Sequence, residues 1–290
     1  MRNFGRWFLF LFFVPLSAIA VERSEKEWGL LLLAHGAHVH VPGRGHVNIW
    51  NRNVEAMATE LNNRFPTEVA FGMAKTKTIQ AAVDRLEQRG YQRIAVVPVF
   101  VSSHSPIIGN FRYIFGLQEQ LAATTDLKQL DRINSSAQFH FGQPMDDHQL
   151  ISHIILERAK SEATNPAKTN IVLIAHGPND ESENRSWLAD LSVHADYLKA
   201  NGFPHVTVMT HRNDAPKQIK TKAREEFRQL VKKKGETGDV VVIPVLLSAG
   251  GIEREVEKDL AGLDYRFGEP IMPHANVQLW VEEQFLQLTR

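Results

Sequence analysis

The chain contains no cysteine. Disulfides, thiolate metal sites and cysteine nucleophiles are therefore excluded, and stability has to come from an apolar core. Neither charge dominates: 33 Lys and Arg stand against 33 Asp and Glu. No basic stretch stands out beyond Lys232-Lys233-Lys234, so nucleic acid is not an expected partner. Also missing are a Gly-x-Ser-x-Gly elbow, a Walker glycine loop, a Gly-x-Gly-x-x-Gly turn and a His-Glu-x-x-His pair. Their absence argues against a serine hydrolase of the elbow type, a nucleotide cofactor and a zinc protease. Pro42-Gly43-Arg44-Gly45 has two glycines but lacks the lysine-serine or lysine-threonine ending of a phosphate loop.

Long hydrophobic runs are missing too. The longest, Trp7 to Leu16, follows Arg2 and Arg6 and precedes Ser17-Ala18-Ile19-Ala20. A basic start, a short apolar stretch and small residues at the cleavage positions make the pattern of a secretory signal. A membrane span needs about 20 apolar residues, and this run is shorter. The expectation is a signal peptide over residues 1–20, cleaved before Val21, and an exported, periplasmic protein that is not integral to the membrane. An uncleaved anchor is the competing reading.

What the chain has in quantity is histidine, thirteen in all, and imidazole is the commonest metal-ligating side chain. It also repeats itself. Gly29-Leu-Leu-Leu-Leu-Ala-His35-Gly36 is matched by Asn170-Ile-Val-Leu-Ile-Ala-His176-Gly177, and Ile94 to Ser102 by Val240 to Ser248 with a proline at the same place. Phe141-Gly-Gln-Pro144 with His148 is matched by Phe267-Gly-Glu-Pro270 with His274. Three markers in the same order, with drifting spacing, read as an old duplication. The apolar runs read as buried parallel strands. Helical spacing fills Asn48 to Phe65, Thr78 to Arg89, Ser182 to Ala200 and Gln218 to Lys233, and further strands are expected at Glu68–Met73 and His205–Met209. Each half thus reads as alternating strands and helices, a parallel sheet covered on both faces. The halves span residues 21–161 and 169–290, joined through the aperiodic stretch Ser161 to Lys168.

Ligands of open parallel sheets sit beyond the carboxyl ends of the strands. That directs attention to His35 and Ser102-Ser103-His104 in the first half, and to His176, Ser248 and Gly250 in the second. Imidazoles of His35 and His104 can converge on one divalent ion, with His38, His40 and His46 as further candidate ligands from the intervening loop. The plainer reading of His35 is a strand cap bonded to the following turn. His148 and His274 read as helix-capping or packing residues. Asp180, Glu181 and Glu183 can serve as acid, base or ligand, or simply form the acidic first turn of a helix.

A strand ending in Ala-His-Gly, then Val-Pro-Val-Phe-Val-Ser-Ser-His, then Phe-Gly-x-Pro with a histidine, resembles the class II tetrapyrrole chelatases, of the sirohydrochlorin cobaltochelatase and ferrochelatase type. The resemblance covers nearly all of the chain after residue 20, once per half. It implies two tandem flavodoxin-like lobes with a tetrapyrrole cleft between them. It further implies a lyase of the metal-chelatase class, inserting Co²⁺, Fe²⁺ or Ni²⁺ into a tetrapyrrole such as sirohydrochlorin. His35 and His104 would be the catalytic and metal-binding histidines, and Ser102, Ser103, His176, Ser248 and Gly250 would line the substrate. Such chelatases usually carry a glutamate after the second strand; here Met73 stands in the matching stretch. The alternative is a non-catalytic periplasmic metal or tetrapyrrole carrier using the same cleft.

Overall fold

A computed structural model describes residues 27–36, 40–41, 45–46 and 49–290, with backbone only for 40–41, 45–46 and 49. The expected signal segment and His38 lie outside the described residues.

The first half runs β1 (Trp28–Ala34), the short hairpin strands β2 (His40–Val41) and β3 (Gly45–His46), α1 (Ile49–Asn62), β4 (Thr67–Phe71), α2 (Thr76–Gln88), β5 (Arg93–Val99), α3 (Pro106–Ile114), β6 (Gln138–Phe141) and α4 (Gln149–Glu162). The second half runs β7 (Asn170–Ala175), α5 (Glu181–Ala200), β8 (His205–Thr210), α6 (Lys217–Gly235), β9 (Val240–Val245), α7 (Gly251–Asp259), β10 (Arg266–Phe267) and α8 (Ala275–Leu288). The sheets are ordered β4-β1-β5-β6 and β8-β7-β9-β10, and every neighbouring pair in them is parallel. The same order in both halves is the structural form of the sequence repeat. The repeated prolines lie past the last residues of β5 and β9 that pair with the edge strand, Val96 and Val242, where a missing N–H breaks no ladder on that side.

The central strands are apolar throughout because both of their faces are buried. Leu31 and Leu33 face an outer layer with Ile79, Val83 and Leu86 of α2 and Ile108 and Phe111 of α3. Leu30 and Leu32 face inward and join Ile171, Leu173, Val241 and Ile243 of the other sheet in one shared core. A corresponding outer layer in the second half packs Val172 and Ile174 against Phe227 and Val231 of α6 and Val256 of α7.

The shared core is built by exchange. Helix α4, which closes the first half, packs on β9 of the second sheet, and α8, which closes the second half, packs on β5 of the first. Phe285 of α8 lies 4.5 Å from Phe65, ring centroid to centroid, and the Gln284 side-chain carbonyl accepts from Gln143 N–H at 3.0 Å. In the other direction, Arg158 of α4 donates to the Pro270 carbonyl at 3.1 Å. Among the described residues, no helix is long and apolar enough to cross a membrane.

Candidate functional site

The two Ala-His-Gly repeats form the same turn. The glycine after each histidine takes a left-handed conformation, φ 68° at Gly36 and 72° at Gly177. This turns its carbonyl back onto the ring: His35 Nδ1 is 2.6 Å from Gly36 O and His176 Nδ1 is 2.7 Å from Gly177 O. A carbonyl only accepts, so Nδ1 carries the proton in both rings and Nε2 is the remaining position.

There the copies diverge. His176 Nε2 lies 3.1 Å from Asp214 Oδ2, so both ring nitrogens face acceptors. Burial opposes its charge, but the Asp214 carboxylate and the Gly177 carbonyl outweigh burial and raise its pKa above the ordinary 6.5. The Asp214 carboxyl is lowered in turn, chiefly by the hydrogen bond from His176, with further help from the charges of Lys220 and His35. His35 is exposed and lies beside Trp50, centroids 5.8 Å apart. The Trp50 Nε1 is buried without a hydrogen-bond partner in the protein. One repeat therefore presents a histidine whose neutral form has its lone pair on Nε2, and the other a histidine whose Nε2 lies against a carboxylate.

His104 lies in a second cluster. Its Nε2 is 3.4 Å from Asp190 Oδ2 of α5, within ion-pair range but not aligned as a hydrogen bond, since that oxygen is buried without a hydrogen-bond partner. Asp146, just after the Phe-Gly-x-Pro turn, completes the group, and one ligating atom from each of the three lies within 4.8 Å of the others. Burial, then the nearby Asp146 carboxylate, push the Asp190 pKa up to about 6, against the pull of His104. The backbone around this cluster is pinned. Ser103 N–H donates to Asp146 Oδ1 at 2.6 Å, and Trp187 Nε1 donates to the His104 carbonyl at 2.6 Å. His194 Nε2 donates to the Asp146 carbonyl at 2.9 Å, and its Nδ1 sits 2.7 Å from Ser152 Oγ.

The other sequence candidates distribute as follows. Ser102 is buried, and its Oγ accepts from His104 N–H at 3.1 Å. Ser103 engages Asp146 through its amide. Ser248 is buried with no hydrogen-bond partner for its Oγ, and Gly250 N–H donates to the Glu253 carboxylate at 2.7 Å. His40 and His46 are register partners in the antiparallel β2–β3 pair. Met73 is exposed. His148 and His274 are helix caps, accepting from Leu150 and Asn276 N–H. Asp180 caps α5, accepting from Ser182 and Glu183 N–H, which makes this acidic stretch a helix start. The sequence reading missed Asp146, Asp190 and Asp214. Asp146 adjoins a motif already noticed, and Asp214 follows the strand that repeats the Met73 stretch. Asp190 lies mid-helix and carries no local signal.

The comparisons agree with the motif resemblance. Residues 29–162 match the family model CbiX. No curated protein matches the chain by sequence. Among solved structures, SirB from Bacillus subtilis with Fe³⁺ superposes with a TM-score of 0.62 at 18% identity, over 91% of this chain and 94% of that one. The sirohydrochlorin chelatase SirB from Bacillus subtilis subspecies spizizenii, in complex with cobalt, gives 0.62 at 15% identity over 91% and 95%. CbiX, the terminal enzyme for siroheme biosynthesis in denitrifying bacteria, gives 0.55 at 16% identity over 88% and 97%. At these identities the likeness is one of fold.

Proposed function

We propose, from the premise that this chain has the class II chelatase fold, that it handles a divalent metal ion and a tetrapyrrole between its two lobes, inserting Co²⁺, Fe²⁺ or Ni²⁺. Insertion replaces two pyrrole N–H protons with the metal, so the macrocycle releases two protons and the site needs a base. The observation that carries this reading is the divergence of the repeated turns. His35, with Nδ1 tied to Gly36 O, offers Nε2 to a metal or a pyrrole proton. His176 is committed to Asp214.

His104 is the second histidine assigned to the metal, with Ser102, Ser103, Ser248 and Gly250 at the strand ends shaping the floor. Asp214, whose carboxyl feels the charge of His35, supplies from the second lobe a carboxylate that Met73 does not supply from the first. A tetrapyrrole bearing carboxylate side chains is complemented by Lys220, near enough to act on Asp214. Export through the segment before Val21 places this chemistry in the periplasm.

The test is cobalt insertion into sirohydrochlorin followed by absorbance. Replacement of His35 by alanine should lower the rate about a hundredfold or more, the scale of a lost general base, and an unchanged rate would remove His35 from the reaction. Met73, at the family's glutamate position, favours a second reading in which the protein carries metal or tetrapyrrole without turnover. That reading expects binding with no acceleration of insertion.

A further inference from the structure

We propose that His104, Asp146 and Asp190 are the ligands of a divalent transition-metal site that bridges the two lobes and fills without tetrapyrrole. The inference rests on the reading of His104 as a metal ligand, not on the chain catalysing insertion, and it adds two ligands and a location.

The three side chains come from separate parts of the fold. His104 follows β5, Asp146 follows β6, and Asp190 projects from α5 of the second lobe. Their ligating atoms nevertheless lie within 4.8 Å of one another, so small side-chain rotations bring them onto one ion at ordinary bond lengths of about 2.0–2.2 Å. One imidazole and two carboxylates form a mixed nitrogen–oxygen set, which suits Zn²⁺, Co²⁺ or Fe²⁺ better than the all-oxygen cages of Ca²⁺. Three protein ligands also leave a position open for water or an incoming group.

A second observation points the same way. Asp190 Oδ2 is buried and makes no hydrogen bond, beside the carboxylate of Asp146. A buried acceptor without a partner is costly, and two carboxylates drawn together repel; a cation between them resolves both. The surrounding bonds also hold the ligands in place as outer-shell partners of metal sites do. Trp187, one turn before Asp190 on α5, anchors the His104 carbonyl. Ser103 N–H holds Asp146 Oδ1, and His194 holds the Asp146 carbonyl. The ion would therefore tie the first lobe to the second through a ligand set already in position.

The experiment is calorimetric titration of the full chain with Zn²⁺ and with Co²⁺, no tetrapyrrole present, alongside melting curves. The wild type should bind an ion, and its melting temperature should rise with metal concentration, since only the folded state assembles the site. Asp190→Asn and Asp146→Asn should each weaken binding at least about tenfold and lose the metal-induced rise. Glu157→Gln, which alters a carboxylate paired with His274 instead, should behave as wild type. Asp146 has a positive φ of 39°, a conformation asparagine tolerates, so that variant keeps the test sound if Asp190→Asn folds poorly. Wild-type affinity in both asparagine variants overturns the proposal, whether or not the protein inserts metal. Loss of insertion with metal binding intact counts against the chelatase reading alone.

Discussion

His194 illustrates how much one side chain holds here. Its neutral ring satisfies Ser152 of α4 through Nδ1 and the Asp146 carbonyl through Nε2. Burial lowers its pKa from 6.5 to about 4. The unfolded chain therefore takes up this proton first as pH falls. The stability that neutral His194 contributes is complete above about 6.5 and is lost as pH drops through that value toward 4. Asp190, raised to about 6, acts in the opposite sense, because there the folded state is protonated first and gains. Urea unfolding of the metal-free protein between pH 7 and pH 4.5 should show a net acid loss in the wild type and a steeper one in Asp190→Asn, which lacks the offset. Replacing His194 with leucine leaves a buried hydroxyl and a carbonyl unpaired. It should cost about 2 kcal/mol or more at neutral pH and flatten the acid dependence.

Gly177 is the second residue-scale test. A Cβ there would lie 2.5 Å from Thr210 Cβ, at a φ of 72° that L side chains resist. Gly177→Ala should destabilise by about 1–3 kcal/mol and release His176 from its carbonyl, visible as a changed imidazole proton signal by NMR. The Ala-His-Gly repeat made both histidines legible in the sequence. The pairing of His176 with a carboxylate was not, because Asp214 reaches it only through the packing of the turn after β8. Likewise, nothing near Asp190 marks it, since a single carboxylate within an amphipathic helix looks like any solvated position.

At the scale of elements, the exchange of closing helices sets the architecture. The apolar stripes of α4 and α8 state that each needs a sheet; only the tertiary structure states that each takes the other lobe's sheet. The strand runs, their parallel pairing and the duplicated order were readable, because a continuous apolar segment between helices has few other uses. Trp280 and Phe285 of α8 are fully buried, and Arg64 of the first lobe pairs with Glu282. Removing residues 275–290 should therefore unfold the first lobe along with the second. Proteolysis and circular dichroism of the truncated chain would register this; a first lobe that remained protected would contradict it.

On the scale of the whole molecule, one core runs through both sheets, so the lobes should melt together. Tryptophan fluorescence and far-ultraviolet circular dichroism are expected to report one coincident transition, and two separated transitions would mean that the lobes are independent. The proposed function asks different things of the two copies of one turn: His35 is offered as base and metal ligand, while His176 is paired with Asp214. The most direct measurement is an absorbance titration of the protein with metal-free sirohydrochlorin, with and without Co²⁺. Conversion to the cobalt form should be faster than in the protein-free control, and dependent on His35. Binding shifts with no acceleration would contradict it and leave a carrier on a chelatase fold.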